Sequence, residues 1–200
     1  MAELIIPNTI INRSGIEQQI SPISYELNNN RRIYLYDEIN HMSTTNLISQ
    51  IHFLEDCSDE PITILINSPG GAVTDGFAIV DAMTVSPCEI CTVCYGLAAS
   101  MAAVILASGS PGIRYIAPNA EVMIHQPIGG VKGQASEISK VCDHILNTRE
   151  RLARHLARCT GKTIKKLLAD MDRDYWMNSS EAKEYGLVDY VIEKVGGNHD

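Results

Sequence analysis

The stretch Ile62-Thr63-Ile64-Leu65-Ile66-Asn67-Ser68-Pro69-Gly70-Gly71 decides the fold class. Its first five residues are apolar or β-branched without alternation, the pattern of a strand covered on both faces. The next five are turn formers that stop it. Upstream, Ile33–Tyr36 reads as a strand, and Thr44–Cys57 carries Leu47, Ile48, Ile51 and Leu54 at helical spacing. Downstream, Asp75–Val85 reads as a helix, Glu89–Tyr95 as a strand, Gly96 as a turn and Ala99–Ser108 as a helix of small residues. Short strands at Arg114–Ile116 and Glu121–His125 precede a long helix over about Gly133–Cys159, with Ile138, Val141, Cys142, Ile145, Leu152 and Leu156 along one side and Gly161 as its stop. Thr163–Met171 is a short helix. Asn178 and Glu181 are spaced as a capping box for Ser179–Tyr185, Gly186 ends that helix, and Val188–Ile192 is a last strand. Strands alternating with helices in this way imply an α/β domain with a largely parallel sheet.

Two hundred residues suffice for one domain with a core. With only two Phe and one Trp, that core must be built from Ile, Leu, Val, Ala and Met. A net charge of -8 argues against nucleic-acid binding, which calls for a basic face. Cys88, Cys91 and Cys94 are spaced CxxCxxC, but no second pair stands at a zinc spacing. In a strand, Cys91 and Cys94 would face opposite ways, so the cysteines are expected to be small core residues and no metal is expected. Unpaired cysteines fit a reducing compartment. Met1–Ile11 lacks the features of a signal peptide, and the apolar stretch Leu97–Ala107 falls short of the about 20 residues a membrane helix needs. A cytoplasmic protein with no membrane partner is expected. Gly161-Lys162-Thr163 resembles the end of a phosphate-binding loop, but Leu156 stands where its upstream glycine is required, so the chain is not expected to use ATP or any other cofactor.

Four places could carry chemistry. Ser100 opens an apolar helix just after a strand and a glycine, and small neighbours (Ala98, Ala99, Ala102, Ala103) leave room for a substrate backbone. A helix N-cap serine occupies the same position, and position alone favours that role. Asn67–Gly71 lies beyond a strand's carboxyl end, where α/β sheets place ligands, and its glycines could turn amides inward; a plain Pro-Gly turn reads the same way. His125 ends a strand and opens into Gln126-Pro127-Ile128-Gly129-Gly130, well placed for a base, though a lone histidine is commonly structural. His41, His52, His144, His155 and His199 look incidental. An acid is needed to orient such a base. Spacing alone does not choose among Asp170, Asp172 and Asp174.

Together these places form an ordered set: Ile66-Asn67-Ser68-Pro69-Gly70-Gly71, Gly96-Leu97-Ala98-Ala99-Ser100-Met101, Met123-Ile124-His125-Gln126-Pro127, Gly133-Gln134-Ala135, Asp172-Arg173-Asp174 and Glu181–Asp189. In these motifs the chain resembles the proteolytic subunit of the Clp protease, from about Arg32 to Lys194. The resemblance implies a crotonase-like fold of repeated ββα units with a long protruding helix. Residues 1–30 would be an axial and docking segment and residues 31–195 the peptidase domain. It implies Ser100 as nucleophile, His125 as base, Asp174 as orienting acid, and the amides of Gly71 and Met101 as the oxyanion hole. Gly70, Gly71, Ala72 and Val73 on one side, and Pro127, Ile128, Gly129 and Gly130 on the other, would pair with an extended substrate. It further implies two stacked seven-membered rings joined through Gln134, Glu137, Asp172 and Arg173, degrading unfolded proteins fed by an AAA+ unfoldase that alone consumes ATP.

Two departures stand out against that family. Thr63 and Leu65 occupy positions where many members carry docking-cleft tyrosines, and the segment Gln18–Asn30 contains Ser24-Tyr25-Glu26-Leu27-Asn28-Asn29 in place of the usual docking motif. Leu4-Ile5-Ile6-Pro7 keeps part of the axial-gate pattern. These departures leave the triad untouched and bear on which AAA+ unfoldase docks and on a second expectation, a structural or weakly active subunit of a mixed ring with a second paralogue. A third expectation, a crotonase-type acyl-CoA enzyme, rests on the paired amides that fold uses for a thioester oxyanion; it has no need of Ser100 and His125 together, and the chain is short for that class.

Overall fold

The structure is a computed structural model that describes residues 8–13 and 15–193. The gate-like Leu4–Pro7 and His199 lie outside the described residues. A hairpin of β1 (Thr9–Arg13) and β2 (Ile16–Ile20) leads to α1 (Pro22–Asn30), none of which the sequence pattern announced. Arg31 then turns the chain at φ 51°, and its guanidinium donates to the carbonyls of Leu54, Ser58, Glu60 and Pro61 at 2.8–3.3 Å. This fixes the start of β3 (Arg32–Leu35) to the end of α2 (His41–Cys57). Helix α2 begins three residues earlier than apolar spacing suggests. Asn40 Oδ1 accepts from the amides of Met42 and Ser43, and Ser43 Oγ accepts from the Asn40 amide.

After α2 come β4 (Ile62–Ser68), α3 (Val73–Val85), β5 (Ile90–Ala99), α4 (Met101–Ala107), β6 (Arg114–Ile116) and β7 (Glu121–Ile124). Then follow α5 (Ala135–Thr160), α6 (Ile164–Asp170), β8 (Tyr175–Asn178), α7 (Ser179–Tyr185) and β9 (Tyr190–Val191). The main sheet runs β3-β4-β5-β6-β9, all parallel. Strand β5 does not stop at Tyr95 as expected. Residues Thr92–Cys94 pair with β6, and Leu97–Ala99 pair with β7, which in turn pairs antiparallel with β8. The sheet therefore forks along β5. The fork is marked by a register shift, since Ile66 faces Cys94 but Ser68 faces Ala98. Gly96 takes φ 83° there, and a Cβ on it would lie 2.8 Å from Asn67 Oδ1, which accepts from the Leu97 amide at 3.1 Å.

Every residue of α4 is buried between the sheet and the surrounding helices, which explains its run of alanines. One face of β4 is fully buried through Ile62, Ile64 and Ile66. The other face is not. Thr63 is half-buried and Leu65 is 9% exposed, so the expectation of two covered faces holds only in part. Along that second face Tyr34, Leu65, Val93, Tyr115 and Tyr190 lie side by side in register, and Tyr190 is 49% exposed. Helix α5 buries only Leu152, Ala153 and Leu156. Its first half has Ile138 and Leu146 largely exposed and Val141 and Ile145 half-buried, so among the described residues the apolar side read from the sequence is covered there only in part.

Arg114 joins the ends of several elements. It is buried, and its guanidinium pairs with Asp189 at 2.6 and 3.0 Å while donating to the carbonyls of Ala107, Cys159 and Gly186. Burial pushes the Asp189 carboxyl up, but the Arg114 guanidinium and the amides of Arg114 and Gly112 outweigh it and hold the group below the usual carboxylate range. A carboxyl depressed on folding adds stability that is present above its unfolded value and is lost as pH falls through the folded one. Asp189→Ala is expected to lower unfolding free energy by about 3 kcal/mol, because Arg114 would stay buried without its counter-charge. Urea denaturation at neutral and acidic pH measures this, and the difference between variant and wild type should shrink in acid.

Candidate active site

The forked strand delivers the candidate nucleophile. Ser100 follows β5 directly and precedes α4, with φ 56° and ψ -122°, a conformation rare outside glycine. Such backbone strain persists only where neighbours hold it. Here the Ser100 amide donates to the Met123 carbonyl on β7 at 2.8 Å. Position 100 is thus a sharp strand-to-helix turn, and the residue is half-buried. His125 follows β7, and its Nε2 lies 2.9 Å from Ser100 Oγ. Asp174 precedes β8, and its Oδ1 lies 3.2 Å from His125 Nδ1. The β7–β8 pairing, with Ile124 opposite Tyr175, sets these two side chains next to each other.

The three aspartates that spacing could not separate have different partners. Asp170 pairs with Lys166 at 2.8 Å and accepts from the Tyr185 hydroxyl at 2.6 Å. Asp172 faces Arg149 at 3.4 Å. Asp174 faces His125.

A second serine–histidine contact exists. Ser108 Oγ lies 2.7 Å from His155 Nε2. The Ser108 hydroxyl already donates its single proton to the Val104 carbonyl at 2.7 Å. His155 must then donate from Nε2, leaving Nδ1 to accept from Arg158 at 3.3 Å. A histidine that donates to the serine cannot take its proton. Burial, with Arg158 and Arg151 nearby, also holds the His155 pKa below its ordinary value, and no carboxylate hydrogen-bonds to it among the described residues. This pair is structural.

Opposite Ser100 lies the Pro-Gly loop. The Ser68 hydroxyl is buried, donates to the Asp37 carbonyl at 2.6 Å and accepts from the Gly70 amide at 3.2 Å. Ile39 bonds to the Gly70 carbonyl and the Ala72 amide, so the Gly71 amide points to the other edge. Gly70 takes φ 91°, and a Cβ on it would lie 2.8 Å from Ser100 Cβ and 3.0 Å from the Met101 amide nitrogen. The glycine loop thus lies directly on the turn that bears Ser100. Met101 is the first residue of α4, so its amide has no partner within that helix.

Beneath Ser100 is an apolar pocket. Val73, Met101, Val104, Ile124 and Pro127 line it together with Leu152 and Leu156 of α5 and Met171 after α6. The sequence reading placed Leu152 and Leu156 on the apolar side of the long helix and Met171 at the end of a short one; nothing in their spacing separates a pocket wall from a core. Ile128, Gly129 and Gly130 form an exposed loop, with Ile128 86% exposed. Gln134 and Glu137 are exposed at the start of α5, where Glu137 accepts from the Gln134 amide at 3.3 Å. Asp172 and Arg173 line a groove beside His125 and Asp174.

A family model described as Clp protease matches residues 15–195. The chain belongs to the Clp protease family. It is a Clp-type peptidase, and its mixed α/β architecture with a parallel sheet is the fold of that family. The family implies ring-forming oligomers that work with AAA+ partners. The acyl-CoA reading is thereby set aside. Cys94 is fully buried and its thiol is pushed up to about 12 by burial, so in this Clp-family chain it is an inert core residue, as expected.

Gly70→Ala is expected to lower stability, because φ 91° and the Ala99 carbonyl 2.5 Å away both oppose a Cβ, and in the fraction that still folds to lower peptide hydrolysis at least about a hundredfold, because displacing the loop or Ser100 by roughly 1 Å has that effect on a positioned reaction. Circular dichroism and initial rates on a fluorogenic peptide check the two halves.

Proposed function

We propose that this chain is a serine endopeptidase in which Ser100 is the nucleophile, His125 the base and Asp174 the acid that orients it. The observation that carries the reading is the continuous contact from Ser100 Oγ to His125 at 2.9 Å and on to Asp174 at 3.2 Å. His125 Nε2 takes the Ser100 proton as Oγ attacks the scissile carbonyl, and then returns it to the leaving amine. Water attacks the Ser100 ester by the same route in reverse. The amides of Gly71 and Met101 hold the oxyanion. Gly70–Val73 and Pro127–Gly130 flank the site as edges for an extended chain, which suits unfolded polypeptide substrates of many sequences. The apolar pocket beneath Ser100 takes the side chain before the cut.

We further propose that the protein works as two stacked seven-membered rings with the sites inside, fed by an AAA+ unfoldase in the cytoplasm. The exposed apolar half of α5, with Gln134 and Glu137 at its start and Asp172 and Arg173 beside the triad, supports a ring-to-ring contact. The half-covered tyrosine face, with Thr63 and Leu65, supports a docking surface that differs from the usual one. Residues 1–30 serve the axial opening and docking, and residues 31–195 form the peptidase domain. The chain itself uses no cofactor or metal, and ATP is consumed by the partner. Six free cysteines support a reducing compartment.

One observation favours a second reading, a weakly active subunit of a mixed ring with another paralogue. The pocket beneath Ser100 has only about 10 Å³ of free space, room for one water molecule at most, so a substrate side chain enters only after the walls move.

The test is hydrolysis of a fluorogenic peptide with an apolar residue before the cut. Ser100→Ala should abolish it, and diisopropyl fluorophosphate should label Ser100 in the wild type alone; turnover surviving in the variant would sink the reading. Leu156→Ala enlarges the pocket and should raise kcat/KM for bulky aromatic residues relative to small ones, about tenfold for this much added space. An unchanged ranking of substrates would remove Leu156 from the pocket.

A further inference from the structure

We propose that Gln126 is a positioning residue for the triad, holding the turn that carries Asp174 against the strand that carries His125. The proposal rests on the serine-peptidase reading above. Asp174 is 59% exposed, and among the described residues its carboxylate makes one hydrogen bond, to His125. Packing of its own side chain therefore does not locate it. The backbone around it does. Strand pairing begins only at Tyr175, opposite Ile124. Before that residue the turn needs another anchor.

Gln126 supplies two. Its amide donates to the Met171 carbonyl at 2.6 Å, and its side-chain Nε2 donates to the Asp172 carbonyl at 3.0 Å. The residue next to the base thus grips the acid's turn on the side that strand pairing leaves open. Arg149 is the other anchor, through the Leu168 carbonyl at 3.0 Å and the exposed Asp172 carboxylate at 3.4 Å. The second of these contacts is long and open to water, so the Gln126 bond is the firmer one at Asp172. Because Gln126 holds the Asp172 backbone, its grip is independent of what the Asp172 side chain does. The requirement is for a donor at this reach, and glutamate, of the same size, has none.

The assembled protein is compared as wild type, Gln126→Ala, Gln126→Glu, Asp174→Ala and the Gln126→Ala/Asp174→Ala double variant, with kcat and KM measured on the same peptide. Gln126→Ala should lower kcat on the order of tenfold with KM within about twofold, since loosening the triad costs less than a full 1 Å misplacement. Gln126→Glu should not restore it. In the Asp174→Ala background the alanine change should have no further effect, because Gln126 acts through that acid; a residue needed only for folding would lower both backgrounds alike. Wild-type kcat in Gln126→Ala, full activity in Gln126→Glu, or an undiminished further loss in the double variant would overturn the proposal. Should the alanine variant fail to assemble by gel filtration, the isosteric glutamate decides alone. Hydrolysis persisting in Ser100→Ala would overturn the peptidase reading and this proposal with it; a silent Ser100→Ala beside unaffected Gln126 variants would overturn the positioning role by itself.

Discussion

The fork in β5 is the constraint on which the rest depends. A strand that kept one partner throughout would run straight past β6 and would not reach β7. Asn67 and Gly96 prevent that. The Asn67 side chain takes the Leu97 amide, and only a residue without Cβ fits against it at position 96. Two extra residues of β5 are absorbed between Cys94 and Ala98, and the strand, still paired with β4 at Ala98, exchanges β6 for β7 on its other edge.

The fork explains how the candidate site is assembled from distant pieces. Ser100 stands where the diverted strand becomes α4, His125 at the end of its new neighbour, and Asp174 at the start of the next strand over. The three side chains lie on one small branch of sheet, while the glycine loop comes from β4 on the main branch. The pocket below is walled in part by α5 and by Met171, the residue after α6. Each group of the candidate site is thus set by a different element.

Two surfaces are left half-covered, the tyrosine row on the sheet and the outer half of α5. Both are apolar enough to bury, and among the described residues both are covered only in part. For a member of a ring-forming family this is the expected state of a single subunit.

Local chemistry made much of this legible in the sequence. The unbroken run Ile62–Ile66 announced a parallel sheet, because burial demands apolar residues whatever the partner. Asn178, Glu181 and Gly186 bounded their helix as expected, since capping is satisfied within a few residues. Ser100 and His125 could be singled out as candidates, and the ordered motifs tied them to Asp174. What the sequence could not supply is long-range pairing. The continuation of β5 past Gly96, strand β8, and the separate partners of Asp170, Asp172 and Asp174 all depend on groups tens of residues away. Tertiary structure alone decided them, because hydrogen bonds between distant segments leave no periodic trace in either one.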